Sequence, residues 1–108
     1  MTTSTLISQQ ITPLLRELEE KLQQLGLWDN VPPSDAQLSS CEPFSIDTLE
    51  PEQWIQWVFI AKLNQMLLEN QALPRGFSVL PYFAQVWQAS PEFHPILSLL
   101  EKIDKVCA

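Results

Sequence analysis

The sequence has little glycine, cysteine and histidine, and these shortages exclude several common kinds of site. It contains two glycines, two cysteines and one histidine in 108 residues. Gly26 and Gly76 are too far apart to form the loops G-x-G-x-x-G or G-x-x-x-x-G-K-S/T that hold nucleotide phosphates. His94 and two distant cysteines, Cys41 and Cys107, do not supply the usual ligands of a zinc site. We therefore expect no cofactor, no metal and no disulfide.

Long apolar runs are also missing. The longest one, residues 57–61, ends at Lys62, whereas a membrane-spanning helix needs about 20 consecutive apolar residues. The residues after Met1 have neither the basic start nor the apolar centre of a signal peptide. The sequence therefore predicts a cytoplasmic protein that does not enter a membrane.

Basic residues are few, and this limits the class of partner. Thirteen acids and six bases give a formal charge of −7. The bases are scattered along the chain: Arg16, Lys21, Lys62, Arg75, Lys102 and Lys105. Binding to DNA or RNA depends largely on neutralising phosphates, so this balance argues against direct nucleic-acid binding. A protein partner with a basic surface fits better, and a homodimer stays open.

What the sequence does contain is a helical pattern of apolar residues. Hydrophobic residues make up 45% of the chain and charged residues 18%, which is typical of a globular protein and predicts one domain over residues 1–108. The periodicity predicts an all-α fold with helices at about 4–25, 51–70, 78–89 and 91–106. Together with a long strap between the first two helices, they describe a compact four-helix bundle.

The first two predicted helices each have an unusual feature. Pro13 either opens a helix that is capped by Thr12 or lies inside a longer, kinked helix, and the unbroken apolar phase favours the longer helix. The second helix is apolar almost all round, which is typical of a central helix. Other apolar residues widen one of its faces. That face itself carries five residues at helical spacing: Trp54, Trp57, Val58, Ala61 and Leu68.

Two groups of residues are candidate functional sites. The first is an acidic cluster at the start of the second helix: Glu42, Asp47, Glu50 and Glu52. Two of these carboxylates could act as a general acid and a general base. Acidic residues are also common at a helix N-terminus simply because the helix dipole stabilises them there. The second is an aromatic groove between the second and third helices with two basic residues at its rim: Trp54, Trp57, Lys62, Arg75, Tyr82, Phe83 and Trp87. Such aromatic residues are either core or a binding surface.

Four motifs carry a resemblance to a known family: Glu42-Pro43-Phe44, Asp47-Thr48-Leu49, the run Trp-Ile-Gln-Trp-Val-Phe-Ile at 54–60, and Leu73-Pro74. With them the sequence resembles the bacterial YqcC-like family over most of its length. The resemblance implies a small four-helix domain without an established activity or known catalytic residues. Some members carry the label tRNA pseudouridine synthase C, which the resemblance attributes to a neighbouring gene. Ala61 stands where the family pattern has a proline, and Lys62 keeps its basic residue.

Three hypotheses follow from the residues and the resemblance. The leading one is a non-enzymatic protein-interaction module, accessory to a tRNA-modifying pseudouridine synthase. The alternative is a helical bundle that binds a small molecule or lipid in an apolar cavity. An enzyme that uses the acidic cluster is the least favoured, because no nucleophile and base are arranged in a recognisable catalytic motif.

Overall fold

The computed structural model describes residues 3–74 and 76–108, and for residues 3–6 and 43 it describes the backbone alone. Within these residues the chain is helical and contains no strand, so the all-α prediction is confirmed. No helix in the described part is long and apolar enough to cross a membrane. The helices are α1 (Thr3–Gln24), α2 (Asp35–Leu38), α3 (Pro51–Trp54), α4 (Ala61–Leu68), α5 (Leu80–Val86) and α6 (His94–Val106).

Helix α1 runs through Pro13 as one long element. Pro13 lies on its exposed side, opposite the buried row that begins with Ile7 and Ile11. The helix ends at Gly26, whose φ of 74° is the left-handed conformation that glycine adopts most easily. The Gly26 N–H donates to the Gln23 carbonyl at 3.1 Å, and the Leu27 N–H donates to the Leu22 carbonyl at 2.8 Å. This pair of bonds is a Schellman motif, which satisfies the last carbonyls of the helix.

The core lies where α1 packs along α6. Both helices bury rows of aliphatic side chains at helical spacing, and these rows face each other: Ile7, Ile11, Leu15, Leu18 and Leu22 from α1, and Ile96, Leu99, Leu100 and Ile103 from α6. The same buried cluster includes Phe83 of α5 and Phe59, which lies in the helical segment Ile55–Ile60 that joins α3 and α4 into a second long helix. Burial of this apolar surface is the main force that holds the helices together.

The predicted count of four helices and the irregular strap are not confirmed, because the strap contains helical turns. Ser34 caps the start of α2: its hydroxyl accepts the Gln37 N–H at 3.2 Å, and its own N–H donates to the Gln37 Oε1 at 3.0 Å. A 3-10 turn follows at Pro43–Ser45, and another at Pro91–Phe93 precedes α6. Segments of three or four residues are too short to show a helical period in the sequence.

The connection between α4 and α5 is fixed to α6 by hydrogen bonds. The Gly76 N–H donates to the Cys107 carbonyl at 2.7 Å. The carboxylate of Asp104 accepts the Val79 N–H at 3.0 Å and the Leu80 N–H at 2.9 Å, so it satisfies free amides at the start of α5. These bonds hold residues 76–80 in place, and three of these residues, Phe77, Ser78 and Val79, line a surface pocket.

Candidate functional site

The second long helix contains a π-helical segment, Ile55–Ile60, between α3 and α4. A π-turn has one residue more than an α-turn; it is rare, and it is found frequently at functional sites. In this segment Ile55 and Phe59 are buried, while Trp57 and Val58 are half-buried and face away from the core. The segment therefore presents an aromatic and aliphatic outer surface next to the core that it also builds.

An apolar pocket of about 390 Å³ lies between this helix and the connection that leads to α5. Four aromatic rings, several aliphatic groups, one hydroxyl and one ammonium group line it: Phe44, Trp54, Val58, Phe59, Lys62, Leu63, Pro74, Phe77, Ser78 and Val79. We call it the apolar pocket. Its volume is within the range of ligand pockets, about 300–1,000 Å³, at the small end.

Phe44 lines the apolar pocket from a strained backbone position. Its φ of 56° and that of Ser45, 51°, place two consecutive non-glycine residues in the left-handed region, at a cost of about 1–3 kcal/mol each. The Phe44 ring stacks on Tyr82 with a centroid distance of 4.2 Å and meets the Trp54 ring edge-on at 4.8 Å. These ring contacts hold the strained turn in place.

Lys62 is exposed at the rim of the apolar pocket, one turn after Val58. Among the described side chains, no carboxylate lies within ion-pair distance of its ammonium group. The ion pair seen in this part of the chain joins Lys105 to Glu101, at 3.1 Å. In a chain with a formal charge of −7, Lys62 is thus a positive group left open beside an apolar surface.

The structure brings part of the predicted aromatic groove together. Trp54 and Lys62 line the apolar pocket, and Tyr82 supports it from behind Phe44. Phe83 and Trp87 are buried in the core and do not line it. The two other predicted residues do not line it. Trp57 lies beside it, in a neighbouring surface pocket with Val58 and Lys62, and Arg75 is outside the described residues.

Trp57 lines a second, more polar pocket of about 400 Å³ together with Trp28 and Asn64. Its indole Nε1 is buried and has no hydrogen-bond partner among the described residues. Beside it, the side-chain amide of Gln56 holds the backbone of Asp29. The Asp29 N–H donates to the Gln56 Oε1 at 2.8 Å, and the Gln56 Nε2 donates to the Asp29 carbonyl at 2.7 Å. We call this pair of bonds the Gln56 clamp.

The predicted acidic cluster has several local roles. Asp47 accepts the Ser40 hydroxyl, and Glu42 is exposed in the strap. Glu50 is the residue before α3, and its N–H donates to the Gln53 Oε1 at 2.8 Å. Glu52 lies in the first turn of α3, as dipole reasoning predicts. No set of three or more histidine, cysteine or acidic side chains in the described part is arranged to hold a metal ion.

Glu52 is the acidic residue whose environment affects its titration. Partial burial raises the pKa of its carboxyl above the ordinary 4.5; a backbone hydrogen bond opposes this in part, and the charges of Glu50 and Asp29 add to it. The pKa of Tyr82 is likewise raised by burial and by the nearby Glu50. The charge of Glu50, next to α3, therefore lies close enough to Glu52 and Tyr82 to raise the pKa of both.

We expect Glu52→Gln to raise the thermal midpoint at neutral pH. A carboxyl with a raised folded-state pKa binds its proton more tightly in the folded protein than in the unfolded chain. Its ionisation therefore destabilises the folded protein as the pH rises above 4.5 and through the folded-state pKa. The gain should therefore disappear near pH 4. Thermal unfolding at several pH values measures it, with the exposed Glu20→Gln as the charge-matched control. An equal gain at pH 4 and pH 7 would contradict the titration.

Sequence reasoning did not identify several pocket residues, and their positions explain why. Phe44 stands out in the sequence only as part of the motif Glu42-Pro43-Phe44, and nothing in the sequence signals its left-handed backbone. Phe77 and Pro74 lie in the connection before α5, which has no period. The repeated occurrence of aromatic residues in otherwise irregular segments is the signal that could have found them.

Comparison with known proteins gives a consistent set of relatives. A sequence profile of the family described as tRNA pseudouridine synthase C matches residues 10–106. An uncharacterized protein of Haemophilus influenzae is 36% identical over 92 residues, which cover 85% of this chain and 87% of the relative. The uncharacterized protein YqcC of Escherichia coli is 38% identical over 95 residues, 87% of each chain.

Two further matches concern a longer protein and a solved structure. A protein of Pectobacterium carotovorum named tRNA pseudouridine synthase C is 35% identical over 79 residues, which cover 73% of this chain and 21% of that protein. The solution NMR structure of E. coli YqcC matches all of this chain and 90% of its own, with a TM-score of 0.81 and 36% identity. Sequence and fold therefore point to the same group of proteins.

Proposed function

This chain belongs to the YqcC-like family, and we propose that it is a non-enzymatic protein-interaction module of the cytoplasm that assists a tRNA-modifying pseudouridine synthase. The observation that carries the proposal is the apolar pocket. Ligand and partner sites are commonly concave, lined mainly by aromatic and aliphatic side chains with a few polar groups, as this pocket is. Partner-binding sites commonly place aromatic anchors in such pockets.

The longer relative supports the choice of partner. In the Pectobacterium protein, a segment similar to this chain makes up about a fifth of a protein named tRNA pseudouridine synthase C. A segment carried on the same chain as a partner meets it at high effective concentration, and a separate chain can supply the same contact by binding. An enzyme that binds tRNA carries a basic surface, which suits a module with a charge of −7.

Two measurements test the proposal. In calorimetry with the purified tRNA pseudouridine synthase of the same organism, we expect saturable binding. In cells that lack this chain, we expect a lower pseudouridine content of tRNA. The variant Tyr82→Ala, which removes the ring that stacks on Phe44, should weaken the binding, whereas the exposed Gln88→Ala should not. No binding together with an unchanged pseudouridine content would reject the proposal.

The second candidate is a carrier of an apolar small molecule or lipid. The observation in its favour is the mostly apolar lining and the size of the apolar pocket, about 390 Å³, which lies at the lower end of the range of ligand sites. Native mass spectrometry of freshly purified protein tests it. A retained ligand that is lost in Val58→Trp would support this function, and a clean apo mass across preparations would count against it.

A further inference from the structure

We propose that the apolar pocket binds a short segment of the partner protein, with a large apolar side chain inside the pocket and a carboxylate of the same segment paired with Lys62. This inference rests on the proposed function and specifies the chemistry of the segment that is bound. Three independent features of the described residues carry it: the lining, the charge at the rim and the unusual backbone conformation of two walls.

The lining selects an apolar side chain. Phe44, Trp54 and Phe77 present rings to the pocket, and Val58 and Val79 add aliphatic groups. Polar groups there are few, so a polar side chain would lose hydrogen bonds to water without replacing them. An aromatic or long aliphatic side chain would bury its surface against these rings, as the anchor residues of protein interfaces do.

The local charge at the rim selects an acidic residue next to the anchor, within a partner whose surface is otherwise basic. Lys62 is exposed beside the pocket and has no carboxylate within ion-pair distance among the described residues. A carboxylate next to the anchor could pair with this ammonium group without displacing a carboxylate of this chain. A second copy of this chain is a poorer occupant, because each copy carries a charge of −7 and the two would repel each other.

Unusual backbone conformation marks the same place. The left-handed residue Phe44 lies in one wall, and Val58 and Phe59 of the π segment Ile55–Ile60 lie in another. Strained residues and π-turns are both found preferentially at binding sites, where the surrounding structure must hold them. The two features lie in different parts of the sequence, and both contribute residues to the lining of the apolar pocket.

A charge reversal with a matched control tests the inference. Lys62→Glu and Lys102→Glu change the net charge equally, but Lys102 is exposed on α6 and does not line the pocket. Against the purified synthase we expect Lys62→Glu to weaken binding about tenfold, because it places like charges together. Lys102→Glu should change the dissociation constant by less than about twofold. Both variants should keep the wild-type circular dichroism.

The outcomes separate this inference from the proposed function. If the wild type binds the synthase and Lys62→Glu binds as tightly, the pocket inference is overturned while the proposed function stands. If the wild type does not bind the synthase at all, both fail. Equal weakening by Lys62→Glu and Lys102→Glu would also overturn the inference, because it would show an effect of net charge alone.

Photo-crosslinking identifies the occupant directly. Ser78 is exposed and lies at the pocket, so Ser78→p-benzoylphenylalanine places a crosslinker there. In the complex with the synthase we expect a crosslinked synthase peptide that contains a large apolar residue and an aspartate or glutamate. A crosslink to a second copy of this chain, a crosslink to a copurified lipid, or no crosslink in a complex that forms would each overturn the inference.

Discussion

Replacing Phe83 by alanine is expected to lower the free energy of unfolding by about 3–5 kcal/mol. The side chain is fully buried. Its ring centroid lies 4.9 Å from that of Tyr82, 5.2 Å from that of Trp87 and 5.8 Å from that of Phe44. The substitution removes these contacts and leaves a cavity under the wall of the apolar pocket. Since domains of this size are stable by about 5–15 kcal/mol, the loss is a large part of the total.

Urea unfolding followed by tryptophan fluorescence measures this loss. The control is Val86→Ala on the same helix, α5, where the side chain is 42% exposed and the expected change is within about 0.5 kcal/mol. A loss of less than about 1 kcal/mol for Phe83→Ala would contradict a packed aromatic cluster, because it would show that neighbouring side chains fill the cavity at little cost in free energy.

The all-helical nature of the fold could be predicted because it depends on spacing. Apolar residues three and four positions apart form one face of an α-helix, and the rows in α1 and α6 are buried. The phase of α1 also runs without a break through Pro13, and so does the helix. The apolar spacing repeats at every turn of a helix, so one unfavourable residue such as a proline does not change the prediction of a helix.

The π segment could not be predicted, and it changes which residues lie together. In an α-helix, Trp54 and Trp57 would be about 60° apart around the axis. A π-turn of about 4.4 residues widens that angle to about 115°. Trp54 therefore lines the apolar pocket, while Trp57 lines the polar one. The face predicted from α-helical spacing also included Leu68, which is 84% exposed.

The candidate site was predictable only in part for a related reason. Trp54, Lys62 and Tyr82 come from helices, and the sequence pattern placed them near one another. Phe44 and Phe77 come from connections, where position depends on long-range packing rather than on spacing. The buried rings Phe83 and Trp87 were candidates for the same surface, because periodicity does not distinguish a core ring from a ring at the edge of the core.

Gln56→Ala is expected to destabilise the protein by about 2 kcal/mol, because it leaves both backbone groups of Asp29 without partners. Gln56 is only 5% exposed, and its clamp fixes the connection after α1 to the π segment. Urea unfolding measures the loss, and hydrogen exchange should be faster at the Asp29 amide. The control, Gln65→Ala, removes an exposed side-chain bond to Glu69 and should cost less than about 0.5 kcal/mol.

Gln56→Glu separates the clamp from simple packing. The glutamate has nearly the same shape, but when ionised it can accept the Asp29 N–H and cannot donate to the Asp29 carbonyl. Protonation restores the donor, so the folded state holds the proton more tightly than the unfolded chain does. The variant's deficit relative to wild type should therefore shrink as the pH falls toward 4. A deficit that is the same at all pH values would show that shape, rather than the paired hydrogen bonds, holds the connection against the helix.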